Sequence, residues 1–553
     1  MGIISKVSLK SKFIIALSTT VLSVCSTIQS QPIVYNYFYR VYFSDKGEYN
    51  VNDFPPSDLL SEKAIARRQK AGIAVPDLTD LPVFQGYINK IDSMGYKLHC
   101  TSKWMNTGLF KAQSLQDINI LLNFSFVKDV RIVKKPAGKS SFENKLDLKE
   151  FNADIPPFDR PLTMLSGNEL HHSGYDGTGI LIAVLDGGFY NADLISSLVH
   201  LRKRNGIKGT YDFVSGNEYV YDYHNHGTAV LSVLAGTIPQ LIEGTAPGAD
   251  YWLLRTEDTS TEFPVEEDFW AAGAEFADSV GADIISSSLG YYIFDDPVMD
   301  YKFSDMDGNT TFVTRAADIA ASKGILVVAS AGNERDHVWK RIIAPSDGYS
   351  VIAAGAVDGF SVISYFSSAG PSADGRVKPD NVAQGVSVPV QTSESTVSRA
   401  NGTSFSCPVL SGMCACVMQA VPEAINTDII RTLQTAADRY NSPDSLYGYG
   451  IPDMAAVIGK LQETLVTKPG NESIIGPNPF TEDLEIIFRQ IPETLILEIF
   501  TASGVAVVKR NYQEYVGRTL KISDLQNMEQ GLYIIRLITA NGTFTHKVIK
   551  LNK

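Results

Sequence analysis

The sequence predicts an α/β protein: a doubly wound parallel sheet, preceded by an α+β module and followed by a small antiparallel β-sandwich. Three observations carry that expectation. Between about residues 162 and 465, apolar runs alternate with helical segments; Ile180–Leu185 and Val351–Val357 are continuously apolar, as strands buried on both faces are. Before that stretch lies a shorter mixture of β-rich and helical segments. After it, strand patterns alternate around Asn541-Gly542, a strong hairpin signal.

The chain has 553 residues, room for roughly three or four domains. With 44% hydrophobic and 20% charged residues it is a globular composition. A net charge of −13 argues against the basic face that sequence-independent nucleic-acid binding needs. Residues 1–30 read as a signal peptide. Lys6, Lys10 and Lys12 precede the apolar run Phe13–Val24, and small or polar residues follow at Ser26–Ser30. That run is too short for a comfortable membrane span, and no later run reaches the ~18 apolar residues a membrane helix requires. Export without a membrane span is therefore expected.

Taken in order, Tyr37–Phe43 is a β-rich run, and 61–70 has helical character. A helical stretch follows to Met94. Strand-like runs then appear at Lys97–Cys100, Leu109–Ala112 and Val127–Val133, with a helix near Leu115–Leu122. A polar, Lys-rich linker covers Pro136–Pro157. Beyond Gly174, strands are expected at Ile180–Leu185, Tyr251–Leu254, 282–287, 324–329 and Val351–Val357. Helices are expected after His226, at Val265–Ser279, Thr314–Lys323, from near Ser404, and at Met454–Leu465. Past a linker at 468–471, strands are expected at Leu484–Phe488, Leu495–Phe500, Val505–Lys509, Gly531–Leu537 and Phe544–Leu551.

Four polar stretches stand at element ends, where an α/β sheet keeps its active edge. Asp186 ends the Ile180–Leu185 run. His226 opens a small-residue helix. Asn333 lies just past the 324–329 run. Ser404 follows Asn401-Gly402-Thr403 at a helix start. Each has a plain structural reading as well: Asp186 and Asn333 suit turns, and Ser404 suits a helix cap. Together they suit acyl transfer. A serine at a helix N-terminus sits among unpaired N–H groups that stabilise an oxyanion. An imidazole can accept its proton, and a carboxylate can hold the imidazole tautomer. His224 and His226 do not converge as metal ligands, and no third ligand is adjacent, so no metal site is assigned. Of five cysteines, Cys407, Cys414 and Cys416 share one expected helix, where their spacing prevents bridging; they read as small buried hydrophobes.

The motifs Val184-Leu185-Asp186-Gly187-Gly188, His226-Gly227-Thr228, Ser330-Ala331-Gly332-Asn333-Glu334 and Asn401-Gly402-Thr403-Ser404 occur in that order, and together they resemble the subtilisin-like serine peptidases. Two places depart from the family pattern: Ala229 stands where a second histidine is usual, and Phe405-Ser406-Cys407 replaces Met-Ala-Ser. The resemblance implies a subtilisin-like doubly wound domain and a secreted serine endopeptidase acting through an acyl-enzyme. It implies Asp186, His226 and Ser404 as the catalytic triad and Asn333 as the oxyanion donor. It implies Ser288, Leu289, Gly290 and Gly332 as substrate-binding residues, the first three pairing with an extended substrate strand. No cofactor is required; family members often bind calcium, and the sequence places no acidic cluster as ligands, so calcium stays open.

The N-terminal module resembles the family's propeptide in its Bacteroidetes form, through Tyr37–Phe43, Arg67-Arg68, Asp80-Leu81-Pro82-Val83 and Lys103-Trp104-Met105-Asn106. The C-terminal segment resembles the sorting domain of type IX secretion substrates, through Pro477-Asn478-Pro479-Phe480 and Gly531-Leu532-Tyr533-Ile534. A binding or adhesion sandwich would pattern the same way. The expected organisation is a signal peptide (1–30), propeptide (31–140), linker (141–160), peptidase domain (161–466) and sorting domain (467–553). Expected partners are protein or peptide substrates, the chain's own propeptide and the type IX machinery. The expected location is outside the cell or on its surface, reached through the periplasm.

Overall fold

The apolar runs become the inner strands of a seven-stranded parallel sheet. Its order is Asn381–Gln384, Val351–Val357, Leu326–Ser330, Ile284–Ser287, Leu181–Asp186, Asp250–Arg255 and Ile207–Asp212. The coordinates are a computed structural model describing residues 36–136, 157–467 and, with short gaps, 473–551. The expected signal peptide and residues 141–156 of the expected linker lie outside them.

All six residues of Leu181–Asp186 are buried, and alternate side chains enter opposite cores. Ile182 and Val184 join the helices His226–Ala235 and Thr403–Ala420 on one face. Leu181, Ala183 and Leu185 join the helices Val265–Val280 and Phe312–Ser322 on the other. Every residue of Thr403–Ala420 is buried, as an all-round apolar helix must be. From Leu181–Asp186 the chain winds to one sheet edge, then crosses back and winds to the other. The carboxyl ends of Leu181–Asp186 and Ile284–Ser287 therefore flank the switch point, where such sheets open a crevice.

Among the elements here that were not expected from sequence are the edge strands Ile207–Asp212 and Asn381–Gln384 and the helix Asn426–Thr435. The strands are short and carry mixed polarity, so neither period nor apolarity marks them. In Asn381–Gln384 the side-chain amide donors are met by backbone: Asn381 Nδ2 donates to the Gly450 carbonyl at 3.2 Å, and Gln384 Nε2 to that of Val386 at 3.0 Å.

The N-terminal unit is a four-stranded antiparallel sheet, ordered Lys97–Ser102, Thr107–Ala112, Tyr37–Phe43 and Val127–Lys134. It seats on the helix Val265–Val280 through buried charges. Arg40 Nε donates to both Asp268 carboxylate oxygens at 2.8 and 2.9 Å, its Nη2 lies 3.5 Å from Glu267, and its guanidinium stacks 3.6 Å from the Phe312 ring. Glu275 accepts from Ser102 Oγ and from the Lys103 and Trp104 amides at 2.8 and 3.0 Å. Arg67 and Arg68 both reach Asp278, and Arg68 also holds Asp80.

The C-terminal unit is a sandwich of a three-stranded sheet (Ser473–Gly476, Leu484–Phe488, Thr519–Ile522) and a four-stranded one (Ala506–Tyr512, Leu495–Thr501, Gly531–Thr539, Gly542–Lys550). Thr539 pairs with Gly542, the register of a two-residue hairpin loop; Asn541 itself lies outside the described residues.

Removing one partner of a buried ion pair strands the other. Arg40→Ala should therefore cost about 3–5 kcal/mol in chemical denaturation of the uncleaved chain, kept intact by Ser404→Ala. Arg131→Ala, which breaks the exposed pair with Asp129, should leave the midpoint nearly unchanged.

Candidate active site

Three strand ends and two helix starts build the site. Asp186 is the last residue of its strand and fully buried. Its Oδ1 accepts from the Gly187 amide at 2.7 Å, which fixes the carboxylate plane. His226 is the first residue of its helix, 2% exposed, and its Nδ1 lies 2.8 and 3.0 Å from the two Asp186 oxygens. A carboxylate only accepts, so Nδ1 carries the proton and Nε2 keeps its lone pair. The approach depends on Gly227: a Cβ there would lie 2.5 Å from the Gly188 carbonyl oxygen and 3.0 Å from Asp186 Cβ.

Ser404 is the second residue of the helix Thr403–Ala420, so its N–H has no intrahelical partner. The helix starts at Thr403, where a start near Ser404 was expected. Ser404 is 7% exposed. The Phe405 ring sits 6.1 Å from the His226 ring, which places the helix start beside the imidazole. The sequence reading expected a hydrogen bond between imidazole and hydroxyl. Among the described residues, neither the Ser404 hydroxyl nor His226 Nε2 makes one.

Asn333 is held by the residue before Ser404. Its Oδ1 accepts from the Thr403 amide at 2.8 Å and from Thr403 Oγ1 at 3.0 Å. An N–H faces that end, so the amide oxygen is the end that must meet it and Nδ2 points away. Nδ2 lies 3.6 Å from where a Cβ of Gly402 would stand, on the side of the Ser404 turn. Thr403 Oγ1 also accepts from the Gly332 amide at 3.3 Å. Thr403 is thus a positioning residue that sequence reasoning quoted only as part of a motif.

Ser288 joins the expected substrate edge to the backbone of Ser404. Its Oγ donates to the Ser404 carbonyl at 2.8 Å. In a regular helix that carbonyl would receive the N–H of residue 408, but Pro408 has none. The hydroxyl supplies the missing donor. Leu289 and Gly290 follow, both buried, with the Leu289 carbonyl accepting from Ser330 Oγ at 3.5 Å. The expected residues Asp186, His226, Asn333, Ser404, Ser288, Leu289, Gly290 and Gly332 thus gather at one sheet edge.

The helix cysteines are buried and free. Burial pushes the Cys407 thiol up to about 11 and the Cys414 thiol up to about 12, so both stay protonated packing groups. The second histidine, His224, turns its Nδ1 to accept from the His226 amide at 3.2 Å. Sequence reasoning missed one acidic grouping: ligand atoms of Glu257, Glu262 and Glu266 lie within 4.8 Å of one another, and Tyr291 Oη donates to Glu257 at 3.0 Å. No spacing in the sequence marks it, because a loop and a helix start bring the three together.

Three family models match successive parts of the chain. A model of the subtilase family matches residues 177–450, a model of the peptidase S8 propeptide domain of Bacteroidota matches 38–147, and a model of the secretion system C-terminal sorting domain matches 475–551. Subtilisin DY of Bacillus licheniformis is 28% identical over 311 residues, which are 55% of this chain and 99% of that protein. Subtilisin Savinase of Lederbergia lenta is 30% identical over 291 residues, 52% of this chain and 93% of that protein. Among solved structures, MycP1 from Mycobacterium smegmatis aligns with a TM-score of 0.43 and 20% identity, over 56% of this chain and 86% of that one. No helix among the described residues is long and apolar enough to cross a membrane. The chain belongs to the subtilase family, as a secreted, autoprocessed serine endopeptidase with a Bacteroidota-type propeptide and a type IX secretion sorting domain.

Proposed function

We propose that Ser404 is the nucleophile, His226 the general base and acid, Asp186 its orienting partner, and Asn333 with the Ser404 amide the oxyanion hole. The observation that carries this is the buried hydrogen bond between His226 Nδ1 and Asp186, beside a serine in the first turn of a helix. His226 Nε2 takes the Ser404 proton as Oγ attacks the peptide carbonyl carbon. The oxyanion receives the Ser404 N–H and Asn333 Nδ2. His226 returns the proton to the leaving amine, and water then hydrolyses the acyl-enzyme by the reverse sequence. The bond between Ser404 and His226 closes when substrate excludes water, a tightening common at such sites.

Protein or peptide substrates lie extended along Ser288–Gly290, adding a strand to that edge, with Gly332 on the facing side. The mechanism uses no cofactor. Glu257, Glu262 and Glu266 offer the oxygen donors a calcium ion takes, and they stand outside the triad. The organisation 1–30, 31–140, 141–160, 161–466 and 467–553 suits the three family matches, with self-cleavage between Pro136 and Pro157. The own propeptide and the secretion machinery are the partners of the two flanking units.

A serine-directed fluorophosphonate should label the wild-type enzyme and not Ser404→Ala, and purified Ser404→Ala should remain unprocessed without added protease; equal labelling or equal maturation refutes the assignment. Asn333→Ala should lower kcat by about 10²–10³ with KM little changed, measured on one peptide substrate. Ser288→Ala orphans a buried carbonyl beside the nucleophile. It should lower kcat roughly ten- to a hundredfold, with Ser288→Thr recovering most of the loss.

A further inference from the structure

We infer that Ile343 plugs the pocket for the side chain preceding the scissile bond, so that the enzyme cleaves after small residues such as Ala, Ser and Gly. The inference rests on Ser404 being the nucleophile and adds the substrate preference of that same site.

The pocket follows from the geometry around Ser404. The strands Ile284–Ser287 and Leu326–Ser330 are parallel neighbours, with Ser287 opposite Ala329. The segments leaving them, Ser288–Gly290 and 331–333, therefore run side by side. Ser288 is bonded to the Ser404 carbonyl, and Asn333 to Thr403. An acyl carbon on Ser404 Oγ, with its oxygen turned to Asn333, directs its side chain between these two segments. Gly290 and Gly332 face that gap without side chains.

The gap is already filled. A Cβ on Gly290 would lie 2.3 Å from Ile343 Cδ1 and 2.6 Å from its Cγ1. A Cβ on Gly332 would lie 3.0 Å from Cγ1 and 3.1 Å from Cδ1 of the same residue. One isoleucine side chain thus touches both walls. Its backbone is also tied to both. The Ile343 amide donates to the Ala331 carbonyl at 3.2 Å, and Tyr291 and Ala344 exchange amide–carbonyl bonds at 2.8 and 3.3 Å. The Ile343 carbonyl accepts from the Ser346 amide at 2.9 Å and from Ser346 Oγ at 2.6 Å. Ile343 is 7% exposed. Isoleucine is branched at Cβ and stiff at χ1, so it does not swing aside on this anchored backbone. Forcing a second large side chain into a packed space carries the penalty of overpacking.

The test uses mature enzyme processed from the full chain, its active concentration set by fluorophosphonate titration. The substrates are chromogenic peptides differing only before the scissile bond: Ala, Ser, Leu or Phe. Wild-type kcat/KM should be at least about tenfold higher for Ala than for Phe. Ile343→Gly should raise kcat/KM for Phe at least about tenfold and erase or reverse the preference, and Ile343→Ala should do so in part. Equal or better wild-type cleavage after Leu or Phe overturns the inference, as does an unchanged Ala-to-Phe ratio in a folded Ile343 variant. Should neither glycine nor alanine at 343 fold, the wild-type ratio alone decides. An enzyme that cleaves no peptide and takes no fluorophosphonate would instead refute the Ser404 assignment, and the pocket reading would fall with it.

Discussion

The structure depends on one hydrogen bond made where water does not reach, from His226 Nδ1 to the Asp186 carboxylate. A buried carboxylate is costly unless its oxygens are bonded. Here they meet the imidazole and the Gly187 amide, both fixed by backbone. Asp186 is fixed because its strand is clamped between two parallel neighbours. His226 is fixed because the helix it opens is buried along its whole length. The orientation of the pair is thus set by core packing on one face of the sheet. Catalytic geometry needs that rigidity, since a misplacement of about 1 Å costs a hundredfold.

The same economy recurs around Ser404. Pro408 breaks the ladder of its own helix and would leave the Ser404 carbonyl without a donor inside a fully buried element. Ser288 supplies that donor from the neighbouring strand end. Thr403 donates its amide to Asn333 and accepts from the Gly332 amide. Ser404, Asn333 and Ser288–Gly290 therefore belong to one hydrogen-bonded unit, and moving any of them moves the others. Ile343, stitched to both walls of the gap beneath, belongs to the same unit.

The opposite face of the sheet carries the helix Val265–Val280, which serves two surfaces. Its apolar side packs on the strands, and Glu267, Asp268, Glu275 and Asp278 are covered by the N-terminal unit. Apolar residues such as Trp104, Leu109 and Val133 share this contact, and the charges add selectivity, because each buried acid accepts only a partner that brings a matching donor. Arg40, Arg67, Arg68 and the turn at Ser102–Trp104 bring those donors.

Local pattern made much of this legible from the chain alone. Continuous apolar runs identified the central strands because burial on both faces leaves no polar position. Asp186, His226, Asn333 and Ser404 were legible because each stands at an element end, where composition changes abruptly. The strands Ile207–Asp212 and Asn381–Gln384 were not legible, since a sheet edge tolerates the polar residues that elsewhere mark loops. The acidic seat for Arg40 and the plug at Ile343 were equally silent, as contacts between distant segments leave no trace in spacing; the Glu257–Glu262–Glu266 grouping was silent because an irregular loop has no period to read. The sequence by itself determined the layered architecture and the four chemical groups at the sheet edge. Only the tertiary structure decided how those groups are held and how much room they leave, because hydrogen bonds such as Ser288 to Ser404 and the steric reach of Ile343 exist only once the strands lie side by side.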